Sequence, residues 1–331
     1  MAPRKRILSG MRPTGRFHLG NYLGAVRNWV RLQDQYECFF SIVDYHALTT
    51  VPDAHEFRAD ILAMAGDLLA VGIDPDRSTL YLQSAVPEVA ELTLLLSMVT
   101  PLGWLQRVPT FKEKVREQPD NVNLGLLSYP VLQAADILLF KGDAVPVGQD
   151  QAAHVEVTRE IARRFNRTYR PLFPEPQALH TEALVVPGTD GKAKMSKSLG
   201  NVVGVLEEPA VITSQVMSMV TDVRRAYRNQ PGHPRSCNVC HLYKFFFDDW
   251  EHYWGLCRRA EIGCHEKKRI LAERIVATFE PFRRARAELS PEAVLETLER
   301  GSSRAKEVAR ESLTEARDAV GLIRGHASRR G

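Results

Sequence analysis

Arg6-Ile-Leu-Ser-Gly10-Met-Arg-Pro-Thr-Gly15-Arg-Phe-His18-Leu-Gly20-Asn21 is the stretch that decides the fold. Residues 6–10 are a short apolar run closed by glycine, the pattern of a buried strand. The Pro and Gly residues that follow form a turn, and a helical pattern then runs from Gly20 to Gln35. Residues 38–44 repeat the strand signal, and Leu80–Gln83 gives a third. Between the last two lies a helix over Ala54–Val71 with Phe57, Ile61, Met64 and Leu68 on one face. Strands alternating with helices of that length predict a doubly wound parallel sheet of Rossmann-like type. Its ligand crevice should lie at the carboxyl ends of the strands, where glycine turns enter helices, and Gly10–Gly24 is such a place.

Further along, Val86–Phe165 reads as helical apart from a strand at Ala144–Val147, and residues 170–193, rich in Pro and Gly, read as loop. After Pro209 the pattern is helical almost to the end. Leu271, Ile275, Phe279 and Phe282 make one stripe, and Ala305, Val308, Ser312, Ala316 and Val320 another. The expected organisation is a catalytic-type α/β domain over residues 1–203, with a helical insertion at about 86–165, then an all-helical domain over 204–331.

Of 331 residues 44% are hydrophobic and 25% charged, which supports large cores and excludes a disordered or collagen-like chain. From Lys267 onward there are 15 Lys and Arg against 10 Asp and Glu, so the net charge of +4 is concentrated in the last part of the chain. That balance permits a polyanionic partner. The basic start, Arg4-Lys-Arg6, leads into no apolar signal core, and no long apolar run suggests a membrane span. A cytoplasmic protein with reduced thiols is the expectation.

Two motifs carry chemistry. In Pro13–Asn21, Gly20 allows close backbone approach, and His18 and Asn21 offer donors at a helix N-terminus, where an anion is favoured. In Lys194-Met-Ser-Lys-Ser198, preceded by Gly188-Thr-Asp-Gly191, two lysines and two hydroxyls on a glycine-flanked loop make a mobile cationic clamp. Such a clamp suits a triphosphate whose charge shifts toward leaving pyrophosphate.

Together the H-x-G-N turn and the K-M-S-K-S loop resemble the paired signatures of class I aminoacyl-tRNA synthetases. Four further segments are similar to the tryptophanyl branch of that family: Ile42–Leu48, Phe111–Lys114, Tyr129–Ile137 and Val145–Arg159. The resemblance implies that ATP and L-tryptophan react with the aid of Mg²⁺ and that tRNA(Trp) receives the product. It also implies a homodimer joined through the helical insertion, and an anticodon-binding role for the C-terminal helices.

Carried over by position, Asp136 corresponds to the carboxylate that accepts the indole N–H, as a partly buried carboxylate rewards a ring donor. Tyr129 and Gln151 correspond to groups holding the substrate's ammonium and carboxylate, with Gln133 and His46 beside the ring. The ATP site corresponds to Arg12, Pro13, Thr14, Gly20, Asn21, Gly148, Gln149, Asp150, Val186, Lys194, Met195, Ser196, Lys197 and Ser198. Lys194, Lys197, His18 and Asn21 are the expected catalytic set. The chain carries His18 and Arg12 where many bacterial members have Thr and Gln, and Gln133 where several have Met. A tyrosyl-tRNA synthetase and a paralogue that does not charge tRNA are the alternatives.

Cys237, Cys240, Cys257 and Cys264 offer a second constellation. CxxC is a chelating bite for zinc or iron, and some bacterial members of the family hold an iron–sulfur cluster in this region with a similar C-x6-C spacing. Lys267 stands where that pattern has its last cysteine; Cys240 could replace it, with His241 and His265 as alternative ligands. The other reading is that the thiols are packed or free. The aromatic run Tyr243–Trp254 fits a core-facing helix better than a base-stacking surface, whereas Arg258, Arg259, Lys267, Lys268 and Arg269 are candidates for phosphate contact.

Overall fold

The structure is a computed structural model that describes residues 4–50, 53–148, 152–180 and 186–323. Five strands, β1 (Arg6–Met11), β2 (Glu37–Ile42), β3 (Ser78–Leu82), β4 (Ala144–Val147) and β5 (Gln177–His180), form one parallel sheet in the order β3-β2-β1-β4-β5. The chain winds outward from β1 through β2 to β3 and then crosses back to β4 on the other side of β1. The reversal opens a crevice beyond the carboxyl ends of β1 and β4.

Apolar side chains alternate to the two sheet faces, as a sheet covered on both sides requires. Ile7, Phe40 and Leu80 join one core, in which Trp29 stacks on Phe40 with ring centroids 4.8 Å apart. Leu8, Phe39 and Tyr81 join the other, packed against Phe140. Cys38, expected in a strand, is buried in β2, where loss of hydration pushes its thiol up to about 12.

Two elements differ from the sequence reading. Residues 170–193 are not loop throughout, since Gln177–His180 pairs with β4 as the edge strand β5. The helix expected over Gly20–Gln35 is broken by a π-helical turn at Tyr22–Val26 between α-helical Leu19–Asn21 and Arg27–Leu32. Such turns widen the backbone locally and shift the faces that follow.

The insertion contains helices Glu88–Ser97, Leu102–Arg107, Pro109–Glu117, Leu124–Leu138 and Ala152–Thr168, with β4 between the last two. Helices Pro209–Ser218, Asn238–Phe246, Trp250–Arg258 and Cys264–Glu288 form a second packed region. The last helix, Pro291–Ala319, returns to the sheet and covers its other edge. A Cβ on Gly301 would lie 1.9 Å from the Leu80 carbonyl oxygen, so only glycine allows the helix so close to β3. Ser302 Oγ accepts the Leu82 N–H at 3.1 Å, which covers part of the strand edge.

Candidate active site

A cavity of about 490 Å³ opens where the sheet topology predicts a ligand crevice. Ser9, Gly10 and Arg12 from the β1 end and Val145, Val147 and Gly148 from the β4 end form part of its wall. Another wall is helix Leu124–Leu138, capped by Asn123, whose side chain accepts the Leu126 N–H. Tyr129, Gln133 and Asp136, at i, i+4 and i+7, lie on one face of that helix and all line the cavity, as does His46.

Asp136 is buried and held from two sides. Gln83 Nε2 donates to both carboxylate oxygens, at 2.7 and 3.0 Å, and His46 Nε2 shares a 2.8 Å hydrogen bond with Oδ2. Gln83 is fixed in turn, because its Oε1 accepts the Tyr45 N–H at 3.1 Å. The carboxylate is therefore oriented before any ligand arrives, with acceptor capacity remaining for one more donor. Tyr129 is fixed in a similar way. Its hydroxyl is hydrogen-bonded to Thr110 and, at 2.8 Å, to His154 Nε2, and both partners line the cavity.

The cavity also presents donors that no acceptor among the described residues uses. Arg12 Nη2 donates to Thr50 Oγ1 at 2.8 Å and Ala47 O at 3.4 Å, but its buried Nε has no partner among the described residues. Asn28 Nδ2, also buried at the cavity wall, has none either. Buried donors left open in this way favour a ligand that supplies acceptors, such as a carboxylate or phosphate.

The two sequence motifs meet beside this cavity. His18 pairs with Gly204 in an antiparallel bridge, and the Leu19 N–H donates to Val203 O at 2.9 Å. Gly15 adopts φ +67°, and a Cβ there would lie 2.0 Å from Lys197 Cδ and Cε, so the lysine side chain crosses directly over the turn. A Cβ on Gly20 would come within 3.3 Å of Met195 Cβ. Lys194 and Lys197 are both exposed. Asn201, buried and absent from the sequence reading, shapes their loop. Its Oδ1 accepts the Ser196 N–H at 2.8 Å, and its Nδ2 donates to Asp190 Oδ1 and Lys194 O. Val186 adds a backbone bond, its carbonyl accepting the Met195 N–H at 2.9 Å.

His18 and Asn21 differ in part from the expectation that both aim donors outward. His18 Nδ1 accepts the Gly20 N–H and Asn21 Oδ1 accepts the His18 N–H, so the pair forms a reciprocal helix cap. The bond at Nδ1 places the His18 proton on Nε2, which stays available as a donor. Neither residue, nor Lys194 or Lys197, lines the cavity itself; they form a second group joined to it by the turn from Arg12 to His18. Gln149, Asp150 and Gln151 lie outside the described residues, as does the Ser198 side chain.

Burial lowers His18 to about 4 from an ordinary 6.5. The folded protein therefore favours the neutral ring. The associated stability is complete above about 6.5 and is lost as pH falls toward 4, amounting to about 3 kcal/mol over that window. Urea unfolding of the parent and a His18→Asn variant across that range checks this. The stability difference between the two should shrink on acidification, and a constant difference contradicts the shift.

The cysteine segment does not fit a metal centre. Lys267 Nζ stands between two sulfurs, donating to Cys257 Sγ at 3.0 Å and Cys240 Sγ at 3.2 Å. Among the described residues no three His, Cys, Asp or Glu side chains are arranged to hold an ion. Cys264 sits apart at the start of its helix and is partly exposed. Lys267 is also withdrawn from the phosphate-contact candidates, since it is buried, whereas Arg259 and Arg269 pair with Glu261 and Glu273. The aromatic run packs as expected: Tyr243, Phe246 and Trp254 are buried, and Trp254 Nε1 donates to Cys240 O at 2.9 Å.

Comparison with known proteins bears on this geometry. The sequence profile of tRNA synthetases class I (W and Y) matches residues 2–280. The tryptophan–tRNA ligase of Thermotoga maritima is 42% identical, covering 96% of this chain and 99% of its own. The chain belongs to the tryptophan–tRNA ligase family. The ligase of Aquifex aeolicus is 40% identical, covering 96% of this chain and the whole of its own. Among solved structures of the family, the tryptophanyl-tRNA synthetase of Campylobacter jejuni complexed with ADP and tryptophan superposes with a TM-score of 0.87. It is 37% identical and covers 96% of this chain and all of that one. The doubly wound sheet, with its ligand crevice and helical companion region, is thus the architecture of this synthetase family.

Proposed function

We propose that the protein catalyses L-tryptophan + ATP + tRNA(Trp) → L-tryptophanyl-tRNA(Trp) + AMP + PPi. The observation that carries this reading is the Asp136 carboxylate, braced by Gln83 and His46, on the wall of a cavity at the switch point of the sheet. An indole enters an apolar space and gives its one N–H to that carboxylate. A ring without the donor leaves the site with an unmet acceptor. Tyr129, held by Thr110 and His154, faces the substrate's ammonium, and Gln133 lies beside the ring. Gln151 is assigned to the same substrate group by its place in the motif.

The tryptophan carboxylate attacks the α-phosphate in line, forming a C–O–P linkage as the bond to pyrophosphate breaks. The terminal ribose hydroxyl of tRNA then attacks the acyl carbon and AMP departs. No side-chain nucleophile takes part, so catalysis rests on positioning and charge. Arg12, the Pro13–Gly20 turn and Gly148 to Asp150 bind the nucleotide, with Val186, Met195, Ser196 and Ser198 completing its loop side. His18 and Asn21 set the α-phosphate region, while Lys194 and Lys197 neutralise the charge gathering on pyrophosphate. Magnesium bound with ATP would supply further charge neutralisation beside Lys194 and Lys197.

The helices from Pro209 to Glu288 are assigned to tRNA, which the basic balance of the last part of the chain suits, whereas helix Pro291–Ala319 packs on the sheet edge. A homodimer through the insertion accords with Leu94, Met98, Leu102 and Leu124, each more than half exposed there. No described helix is long and apolar enough to cross a membrane, and a cytoplasmic location accords with that.

ATP–pyrophosphate exchange run with each of the twenty amino acids tests the reading. Exchange with tryptophan alone supports it, and exchange with tyrosine overturns it in favour of the sister enzyme. Adenylate formation without charging of tRNA(Trp) would support a non-charging paralogue.

A further inference from the structure

Lys267 is 1% exposed, on the first turns of helix Cys264–Glu288, and no carboxylate among the described residues pairs with it. A buried ammonium without a counter-charge is strongly disfavoured, and the hydrogen-bond acceptors of this one are two sulfurs, those of Cys240 and Cys257. Cys237, at the N-cap of helix Asn238–Phe246, is in turn hydrogen-bonded to Cys240. The other groups facing the cluster do not supply the missing negative charge. Arg225 beside Cys257 adds a second cation, its guanidinium directed to the carbonyls of Ile262 and Arg228. Lys268 lies toward Cys237 and Cys264. Tyr243 offers a neutral hydroxyl, donated to the Lys267 carbonyl, and Glu266 lies toward Tyr243. The sulfurs beside it hold the Lys267 ammonium above its ordinary range in spite of burial, so its counter-charge is a thiolate.

We infer that Lys267, Cys240 and Cys257 form a metal-free ammonium–thiolate centre that hydrogen peroxide converts to a Cys240–Cys257 disulfide. The hydrogen bond from Cys240 and then the Lys267 ammonium hold Cys257 down to about 5, while Cys240 is pushed up and stays protonated. Cys237 is also held down, to about 6, first by its hydrogen bond from Cys240 and then by Lys267, but of these two only Cys257 accepts a hydrogen bond from the ammonium, and it carries the negative charge there. Cys38, equally buried but without a neighbouring ammonium, is pushed the opposite way.

In the first step the Cys257 thiolate attacks one peroxide oxygen. An S–O bond forms, the O–O bond breaks, and the departing hydroxide takes a proton to become water. The Cys240 sulfur then attacks the sulfenic sulfur, the S–O bond breaks, and a second water leaves. Two thiols are oxidised and one peroxide is reduced to two waters. Cys240 and Cys257 are both buried, and a single loop, with Gly232 between exposed Pro231 and His233, separates Cys257 from solvent, so the oxidant has to pass that loop. A Cβ on Gly232 would lie 2.5 Å from the Cys257 sulfur, so backbone without a side chain covers it. The disulfide leaves Lys267 with no counter-charge, and the start of helix Cys264–Glu288 loses its anchor to both neighbouring helices.

The test reads thiols and needs no enzymatic assay. The reduced, purified protein should show thiolate ultraviolet absorbance at neutral pH, lost from Cys257 only on acidification to about 5. That absorbance should persist in Lys267→Arg and vanish in Lys267→Met. After hydrogen peroxide, peptide mass spectrometry should find Cys240 joined to Cys257, formed at least about tenfold more slowly in Lys267→Met. If Lys267→Met fails to fold, the parent's titration and its peroxide product still decide. Absence of thiolate absorbance at neutral pH overturns the proposal. So does stoichiometric zinc or iron in the purified protein, or oxidation confined to Cys264.

Discussion

Asp136→Ala is expected to lower kcat/KM for tryptophan in pyrophosphate exchange by about a hundredfold to a thousandfold, while that for phenylalanine hardly changes. The difference arises because only the indole has a donor to lose. In the parent protein the carboxylate is already oriented by Gln83 at 2.7 and 3.0 Å and by His46 at 2.8 Å. No rearrangement is needed when the ring arrives, so the interaction is available in full. Removing the carboxylate also strips Gln83 and His46 of their acceptor, which costs the empty protein stability as well. Comparing the two substrates in the same variant cancels that shared loss. Equal losses for both amino acids would show that position 136 supports the fold without reading the substrate.

Lys197→Ala should reduce the rate of adenylate formation by about a hundredfold to a thousandfold and leave tryptophan affinity within about threefold. The lysine lies across Gly15, over the turn that leads to His18, and away from the cavity lined by Asp136. A group placed there meets the phosphates and not the indole. Its charge matters most when pyrophosphate is leaving, so the loss falls on the rate. Stopped-flow measurement of adenylate formation, with equilibrium binding of tryptophan, separates the two quantities. Parallel losses in rate and affinity would contradict a transition-state role.

The parts of the fold legible in the sequence are those whose signal is local. Strands β1 to β3 are apolar runs ending in glycine or polar residues, and their alternation with amphipathic helices implies the parallel sheet. Strand β5, Gln-Ala-Leu-His, has four residues in a proline-rich stretch and no β-branched side chain; its strand character comes from pairing with β4. The π-helical turn at Tyr22–Val26 leaves hydrophobic periodicity almost unchanged, so periodicity cannot reveal it.

The candidate site divides in a similar way. Arg12, His46, Tyr129, Gln133, Asp136 and Gly148 come together in one cavity from positions marked by motif resemblance. Gln83 and Asn201 escaped notice because a single polar residue acquires its task only from partners distant in the chain or hidden in a loop. Lys267 was misread for a related reason. Within Lys267-Lys268-Arg269 it looks like part of a solvated basic run, but the helix turns that one side chain inward onto sulfur.

A crystal structure with tryptophan and a non-hydrolysable ATP analogue tests the central claim most directly. The account predicts the indole N–H within hydrogen-bonding distance of Asp136 and the phosphates between the His18 turn and Lys197. An indole seated elsewhere, with Asp136 still bonded only to Gln83 and His46, would contradict it.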